Sequence, residues 1–454
     1  MEKNLTNGSV FKNIILFSLP YLLSYFLQTL YGMADLFIVG QFNGVASTTA
    51  VSIGSQVMHM LTVMIVGLAM GTTVTIAQAV GASERRRASE NIGNTITLFM
   101  ILAIILMACL LLFVNPIVNI MSTPTEAVEG TRQYLTICFI GIPFITAYNI
   151  ISSIFRGMGD SKNPMYFIAI ACVANIILDY VFIGALNLGS VGAALGTTTS
   201  QAISVLVSLV VIIRKRSIEL RRSDLRPKTA VMGKILSIGI PIAFQDGLIQ
   251  ISFIIITIIA NRRGLNDAAA VGIVEKIMSF LFLVPSSMLS TVSALGAQNI
   301  GAKKPERAKK TLRYAILIAV GFELMVSVLI QFGAENIVGL FTDVQTASGR
   351  AVMRLGGQYL RGYIWDSIFA GIHFSFSGYF CAYGKSGISF LHNILSIVLI
   401  RVPGAYFMSM LFPTTLLPMG LATAAGSLLS VCVCIIAFAV LEYKGKNGRL
   451  TCGE

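Results

Sequence analysis

The sequence predicts an all-α polytopic membrane protein with twelve transmembrane helices in two parallel six-helix repeats, or lobes, around a central cleft. The first observation is composition: of 454 residues, 55% are hydrophobic and only 12% are charged, whereas soluble domains are about 25% charged. The second is that the charged residues are clustered, which leaves twelve apolar runs of about 20 residues or more, each able to cross the hydrocarbon as a helix. The third is an internal repeat.

The predicted spans cover most of the chain, and their length and lack of alternation exclude membrane strands. The first run is too long for a signal peptide and lacks a small-residue cleavage site, so we expect it to be a span. Six of the seven cysteines lie within these runs or directly beside them and are expected to be small apolar side chains. In chain order the spans are 14–39, 48–76, 92–114, 132–155, 164–186, 191–213, 231–260, 268–298, 310–334, 356–380, 386–411 and 418–441.

The basic residues indicate the orientation. With the amino terminus inside, 25 of the 33 lysines and arginines fall on the same side as that terminus. Because positive charge collects on the cytoplasmic side, we expect a multi-pass protein of the plasma membrane with both termini in the cytoplasm. This topology accounts for the +13 net charge, so the lipid bilayer is the expected partner and nucleic acid is not.

Three short motifs occur twice, 220 to 225 residues apart, at matching places in the two halves. Each half holds six spans, an even number, so the second half begins on the same side as the first. The repeats are therefore predicted to be parallel, with a cleft between two lobes near mid-membrane. The pairs are Ile14–Pro20 with Lys234–Pro241, Ala77–Ala82 with Ala297–Ala302, and Phe155–Ser161 with Phe380–Ser386.

The repeat defines the predicted domains. Residues 1–213 form an amino-terminal lobe, to which we assign ion coupling, and 214–234 form a basic cytoplasmic linker. Residues 235–441 form the carboxyl-terminal lobe, and 442–454 form a cytoplasmic tail.

The fifth span carries the most informative polar residues. Asn175 and Asp179 lie four residues apart, which places them on one helix face, and Asp35 is the acid of the first span. A charge at bilayer depth costs roughly 3 kcal/mol or more, so such a residue is by default an ion or proton site. Thr197 returns to a similar depth in the sixth span, with Gln28 in the first. The alternative is that Asp35 is an interfacial residue at the end of its helix and that Asp179 is a buried cap or a residue that hydrogen-bonds a neighbouring helix.

The second half has no carboxylate at the position matching Asp179, which predicts lobes of unequal function. Its polar residues within or near spans are weaker candidates, and we predict that they line the cleft. Glu275 also stands beside Lys276, where a local ion pair is an alternative. The candidates are Gln245, Asp246, Gln250, Glu275, Trp365, Asp366 and Arg401.

Taken together, these stretches resemble the multidrug and toxin extrusion (MATE) family over nearly the whole chain. The resemblance rests on Pro20, on Asp35–Gly40, on the paired Ala-Gln-x-x-Gly-Ala turns, on Phe155–Pro164 and on Arg401–Pro403. It implies a cation-coupled antiporter of prokaryotic type that exports amphipathic, often cationic organic compounds by alternating access.

The resemblance also implies a set of cation ligands in the amino-terminal lobe. By position they fall on Asp35, Asn175, Asp179 and Thr197, with Gln28 alongside, and they would hold Na⁺ or a proton. A family subgroup has a functional glutamate in the seventh span, where this chain has Ile249 near the expected place. A carboxyl-terminal ion site is therefore not implied.

Other functions stay open at this point. A flippase for a lipid-linked sugar is the closest alternative, although Arg401 is the only inward cation that we predict. Near-matches to enzyme motifs, such as Gly157–Asp160, fail on context, so neither an enzyme nor a cofactor is expected beyond the coupling ion. We expect a functional monomer that binds small amphipathic molecules.

Overall fold

The computed structural model describes residues 4–215 and 220–446. In this part of the chain the regular structure is entirely helical. A 3₁₀ turn at Thr125–Ala127 precedes α5, and a π-helical segment, Tyr180–Ala185, continues α7. The helices of the first half are α1 (Val10–Phe42), α2 (Val45–Gly81), α3 (Arg85–Leu112), α4 (Val114–Ile120), α5 (Val128–Ile140), α6 (Ile142–Gly157), α7 (Lys162–Asp179) and α8 (Gly189–Lys215).

The second half follows a similar order. A 3₁₀ segment, Arg222–Leu225, precedes it, and a second π-helical segment, Ile397–Arg401, joins α15 to α16. The helices are α9 (Thr229–Asn261), α10 (Leu265–Leu281), α11 (Leu283–Gly301), α12 (Pro305–Gly339), α13 (Ala347–Tyr363), α14 (Trp365–Ala382), α15 (Ser386–Ser396), α16 (Val402–Leu411) and α17 (Leu417–Lys446).

Ten helical stretches of the described chain are long and apolar enough to cross a membrane, and α5 with α6, bent by 49°, makes an eleventh. The bend lies at Gly141, two residues before Pro143, where the helical hydrogen bonding is interrupted. The predicted span 356–380 falls on α13 and α14, which are less apolar because they carry Arg361 and Asp366. The predicted fold class is confirmed. The least apolar of the predicted spans is the one that carries Arg361 and Asp366.

Spatial contacts divide the chain into two compact units. The first comprises Met1–Ala243 and Ala297–Pro305, and the second comprises Phe244–Gly296 and Glu306–Glu454. α9 therefore leaves the first unit just after Pro241. The predicted lobes follow the sequence repeat instead, and their boundaries stay a prediction.

Each unit packs its own apolar core. Tyr134 and Phe139 are buried in the first unit, where they pack with residues of α1, α2 and α8. Tyr359, Tyr363 and Met419 are buried in the second. Close packing of this kind fixes side-chain positions, so polar groups next to these cores are held in place.

The repeated Ala-Gln-x-x-Gly-Ala motif makes a close crossing within the first unit. A Cβ atom at Gly81 would collide with the carbonyl oxygen of Gln298, and one at Gly301 would collide with that of Gln78. Only glycine permits this approach of two backbones. The Gln298 side chain also accepts a hydrogen bond from the Leu5 amide at 3.1 Å, which holds the amino-terminal segment against the crossing.

Candidate functional site

Asp35 lies in the last third of α1 and is buried. The hydroxyl of Thr197 on α8 donates a hydrogen bond to Asp35 Oδ2, with 3.0 Å between the two oxygen atoms. The alternative of an exposed, interfacial Asp35 does not describe this position. This hydrogen bond joins α8 to α1 at the position of Asp35.

Asn175 and Asp179 on α7 are both completely buried. Their four-residue spacing directs them to one side of the helix, and both side chains interact with the Asp35 carboxyl group. The regular α-helix ends at Asp179 and continues as the π-helical segment Tyr180–Ala185. Such segments are frequent at functional sites. The structure thus brings together the two acids, the amide and the hydroxyl that the sequence selects.

Gly196 on α8 makes room for this group of side chains. A Cβ atom at Gly196 would collide with Asp179 Oδ1 and would lie 3.5 Å from Asn175 Nδ2. The Asp179 carboxylate therefore lies against the bare backbone of α8. Any larger residue at position 196 would displace the acid.

The charges of the two acids are not balanced by protein cations. The side chains that act most strongly on Asp35 and Asp179 are the two acids themselves, Thr197 and Asn175, and none of these is a cation. The ion pairs found among the described residues include neither acid. Five buried atoms of these three residues have no hydrogen-bond partner among the described residues: Asp35 Oδ1, both carboxylate oxygens of Asp179, and both amide atoms of Asn175. Two buried acids in contact require either a cation or a proton between them.

The donor set fits a hard cation. Carboxylate, amide and hydroxyl oxygens are ligands for hard ions, whereas transition metals favour nitrogen and sulfur. No group of three His, Cys, Asp or Glu residues is close enough to hold a metal in the described ranges. The arrangement can therefore bind an alkali cation through oxygen atoms, or one proton shared by the two carboxyl groups.

Two residues beside the acids were not selected from the sequence. Tyr31 lies one turn before Asp35, and its hydroxyl interacts with the side chain of Gln201. Gln201 is buried one turn after Thr197. Each lies four residues from a predicted site residue, Tyr31 from Asp35 and Gln201 from Thr197, and this spacing could have identified both from the sequence. Gln28, a predicted site residue, is half-buried two turns before Asp35. No hydrogen bond of the described chain joins Gln28 to Asp35.

A second polar cluster lies in the second unit, around Arg401 at the end of the second π-helical segment. Arg401 Nη1 is 3.6 Å from Asp366 Oδ2, and both side chains are buried. Arg401 Nη2 donates a hydrogen bond to the Tyr363 hydroxyl at 2.7 Å. The guanidinium carbon also lies 5.0 Å from the centre of the Phe253 ring. This cluster contains its own cation.

Glu275 of α10 belongs to the surroundings of Arg401, and the two charges interact. Its Oε2 accepts a hydrogen bond from the Thr257 hydroxyl at 3.0 Å. The local ion pair with Lys276 that the sequence allows is not formed: Lys276 is exposed, and the ion pairs of the described residues do not include it. Glu275 faces inward.

The other candidates of the second half lie apart from this cluster or face outward. Gln245 is buried on α9, and its Nε2 is 3.5 Å from Asp246 Oδ1. Asp246 and Gln250 are half-buried. Trp365 is 38% exposed, as expected of an aromatic side chain at the membrane boundary. All seven candidates lie in the second unit.

One further acid of the second unit is deeply buried. Glu323 of α12 has no exposed surface, and neither of its carboxylate oxygens has a hydrogen-bond partner among the described residues. It stands next to Ser367. A lone acid within an apolar run is the signal for it in the sequence, and it predicts a buried residue that forms hydrogen bonds.

Sequence comparison connects the chain to proteins of known class. The profile of the MatE family matches residues 20–181 and 241–407, one stretch in each half. The probable multidrug resistance protein YoeA of Bacillus subtilis is 30% identical over 346 residues, 74% of each chain. The multidrug export protein MepA of Staphylococcus aureus is 25% identical over 408 residues, 89% of each chain. These matches confirm the resemblance predicted from the motifs.

Solved structures show the same fold. A MATE protein in a bent conformation matches with a TM-score of 0.90 at 24% identity over 98% of both chains. A MOP superfamily transporter of Pyrococcus furiosus, described as having a binding pocket of reverse polarity that suggests a different function, matches with a TM-score of 0.91 at 24% identity over 98% of both chains.

Proposed function

Because this chain belongs to the MatE family of membrane transporters, we propose that it is a secondary active antiporter of the plasma membrane. It exports amphipathic, cationic organic compounds in exchange for Na⁺ or H⁺ by alternating access, with both termini in the cytoplasm. The names of the relatives, which are multidrug resistance and multidrug export proteins, support drug-like cargo. A transport role accounts for the chain without enzymatic chemistry, a cofactor or a second copy.

The observation that carries the proposal is the interaction between two buried acids, neither of which forms an ion pair with a lysine, arginine or histidine among the described residues. Asp35 and Asp179 belong to different helices. Because two carboxylates repel each other, their proximity is stable only when a cation or a proton lies between them. A monovalent cation or a proton arriving from outside halves the negative charge of the pair, relieves the repulsion between the two carboxylates and holds α1 against α7 and α8. Loss of the ion leaves two negative charges that repel each other.

This dependence provides the coupling. An ion that binds one arrangement of α1 more tightly than another shifts the protein toward the first arrangement by its difference in affinity. The Thr197 hydroxyl and the Asn175 amide oxygen join the two carboxylates as ligands when the ion is Na⁺, with Gln28 as an outer contact. When the ion is a proton, the same groups stabilise the carboxyl that carries it.

We assign cargo contacts to the polar residues of the second unit. Asp366 and Glu275 supply negative charge for a cationic compound, and the rings of Phe253 and Tyr363 supply faces on which an organic cation binds well. In this structure Arg401 contacts Asp366, Tyr363 and the ring of Phe253. Gln245, Asp246 and Gln250 are assigned to the same cargo path by their position on α9, and Trp365 to its rim.

The flippase alternative is less well supported. A flippase for a lipid-linked sugar needs free cationic side chains for a pyrophosphate group. Arg401, the inward cation, is instead bonded to Asp366 and Tyr363. Its guanidinium is therefore committed to an acid of the protein.

The experiment is efflux of a fluorescent organic cation from proteoliposomes. A Na⁺ gradient and a pH gradient are imposed separately, each with the other collapsed. We expect efflux with one gradient and none without either. Efflux that is the same in the absence of both gradients would exclude an antiporter, and transport of a pyrophosphate-linked lipid without any gradient would favour the flippase.

A further inference from the structure

A cavity of about 680 Å³ lies within the first unit, where α2 ends, α3 begins and α9 makes its first turns. Its floor is formed by Thr75 and Asn91, both buried, with Asn91 Nδ2 donating a hydrogen bond to the Thr75 carbonyl at 3.0 Å. Its walls carry four cations and two acids. The cations are Arg85, Arg86, Arg87 and Lys234, and the acids are Glu84 and Glu90.

The acids near this cavity are already paired with particular cations. Glu84 and Glu90 of the walls, together with the neighbouring Asp224 of the linker, each have one basic partner. Three ion pairs result, each on the rim or wall of the cavity. They are Glu84 with Arg87 at 3.0 Å, Asp224 with Arg86 at 3.4 Å, and Glu90 with Lys228.

Two cations of the cavity are left over. Among the described residues, the side chains of Arg85 and Lys234 take part in none of the ion pairs or hydrogen bonds. Lys234 also lies close enough to Arg87 for the two positive charges to repel each other. Like charges gathered in a concave site raise the local potential and attract an anion. An anion bound at Lys234 would offset its repulsion by Arg87.

The walls are held in place before any ligand arrives. Asn94 on α3 donates from Nδ2 to the Asp224 carbonyl at 3.2 Å and accepts from the Lys228 amide at 2.7 Å. The Thr97 hydroxyl donates to the Leu225 carbonyl at 2.8 Å. These bonds fix the linker to α3. A preformed site loses less entropy on binding than a mobile one.

The depth of the cavity indicates what reaches it. The apolar stretch Val45–Gly81 ends here, and Arg85–Leu112 and Thr229–Asn261 begin here. Charged side chains at the ends of membrane spans meet the lipid headgroups, and basic pockets between spans bind phosphate-bearing headgroups. A phosphate group is therefore the anion that is most abundant at this level.

We propose that this cavity is a binding site for a phosphate group, contacted by Arg85 and Lys234 and carried either by an anionic lipid or by a soluble phosphate compound. The planar guanidinium of Arg85 offers paired donors that match phosphate oxygens, and Lys234 acts as a point charge. Occupation ties α9 to the junction of α2 and α3. The site is separate from the Asp35–Asp179 pair and does not depend on the proposed transport function.

The test is thermal unfolding of the purified protein in neutral detergent, with three separate additions. These are phosphatidylglycerol, phosphatidylcholine, and inorganic phosphate matched in ionic strength by chloride. The variants are Arg85→Gln/Lys234→Gln and a control, Lys310→Gln/Arg313→Gln, which removes two exposed cations from the start of another membrane helix. A ligand that binds only the folded state raises the unfolding temperature.

We expect phosphatidylglycerol, but not phosphatidylcholine, to raise the unfolding temperature of the wild type and of the control variant by a few degrees. Arg85→Gln/Lys234→Gln should lose more than half of this shift. A shift with phosphatidylglycerol alone identifies a lipid headgroup, and a comparable shift with inorganic phosphate identifies a soluble ligand. An equal response of all three proteins, or no response of the wild type to either anion, overturns the proposal.

A second comparison covers the case in which the double variant folds poorly. Arg85→Lys/Lys234→Arg retains both charges and should keep most of the shift. Native mass spectrometry of the same samples should find one more tightly held phosphatidylglycerol on the wild type and on the control than on Arg85→Gln/Lys234→Gln. Equal lipid counts on all proteins contradict a lipid site.

Discussion

The two buried polar clusters of this protein have opposite charge balance. The first unit brings Asp35 and Asp179 together, and neither acid forms an ion pair within the described part of the chain. The second unit places Arg401 between Asp366, Tyr363 and the ring of Phe253. The first cluster therefore needs an external positive charge, whereas the second supplies its own. The two halves repeat three sequence motifs, yet their buried polar residues differ in charge.

The difference has an energetic consequence. A buried ion pair that loses one partner costs several kcal/mol, because the remaining charge stays in a medium of low dielectric. The second cluster avoids that cost in every condition. In the proposed mechanism the first avoids it only when an ion or proton is bound, so we expect its arrangement to respond to the gradient across the membrane. The predictions below test this contrast.

The largest effect is expected from removing one acid of the first cluster. Asp35→Asn leaves one carboxylate and removes the need for a coupling ion, so drug efflux from cells should fall at least about tenfold. The control is Glu126→Gln, which makes the same acid-to-amide change at an exposed turn and should leave efflux unchanged. Efflux at the wild-type level by a normally expressed Asp35→Asn protein would contradict a role of the Asp35–Asp179 pair in ion coupling.

The next effect concerns the second cluster and is one of stability. Arg401→Met leaves Asp366 buried without its cation, so the free energy of unfolding should fall by about 3–5 kcal/mol. Thermal unfolding measures this loss, with the exposed Arg354→Met as control. Adding Asp366→Asn to Arg401→Met should restore a substantial part of the stability. If the second change brings no recovery, Arg401 is not balanced by Asp366.

A change of shape without a change of charge should also disable the first cluster. The methyl group of Gly196→Ala would meet Asp179 Oδ1, and overpacking of this kind costs about 1–3 kcal/mol. We expect efflux to fall about tenfold, which corresponds to a free-energy cost of about 1.4 kcal/mol. Gly321→Ala, where an added Cβ meets no atom within 4 Å, is the control. Similar efflux by the two variants would show that Asp179 does not need its place against α8.

The smallest effect is expected at Thr197. Thr197→Val keeps the shape but removes the hydrogen bond to Asp35, which is worth about 1 kcal/mol. The concentration of coupling ion that gives half-maximal efflux should therefore shift about fivefold. Thr198→Val is a close control, because the Thr198 hydroxyl has no hydrogen bond among the described residues. Equal shifts at both positions would remove Thr197 from the site.

The sequence predicted the parts of this architecture that depend on local pattern. The apolar runs, the paired Ala-Gln-x-x-Gly-Ala motifs and the four-residue spacing of Asn175 and Asp179 are all visible in one dimension. Tyr31 and Gln201 were missed because their proximity depends on how α1 packs against α8. The π-helical segments after Asp179 and before Val402 were missed for a related reason, since they change the hydrogen bonding without a distinctive residue pattern.

The polar content of α13 and α14 shows the same limit. The sequence placed Asp366 in a predicted span but could not pair it with Arg401, which is 35 residues further along the chain. Only the packing of α13, α14 and the second π-helical segment brings them together. Glu275 illustrates the opposite case, where the neighbour in sequence, Lys276, is not the partner in space.

The most direct test of the account is to measure ion binding by the purified protein, with and without the two acids. Labelled Na⁺ binding and proton uptake are measured side by side on the wild type and on Asp35→Asn/Asp179→Asn, with Glu126→Gln as control. The account predicts that the wild type and the control bind one Na⁺ or take up one proton that the double variant does not. Unchanged Na⁺ binding and proton uptake in a folded double variant would contradict it.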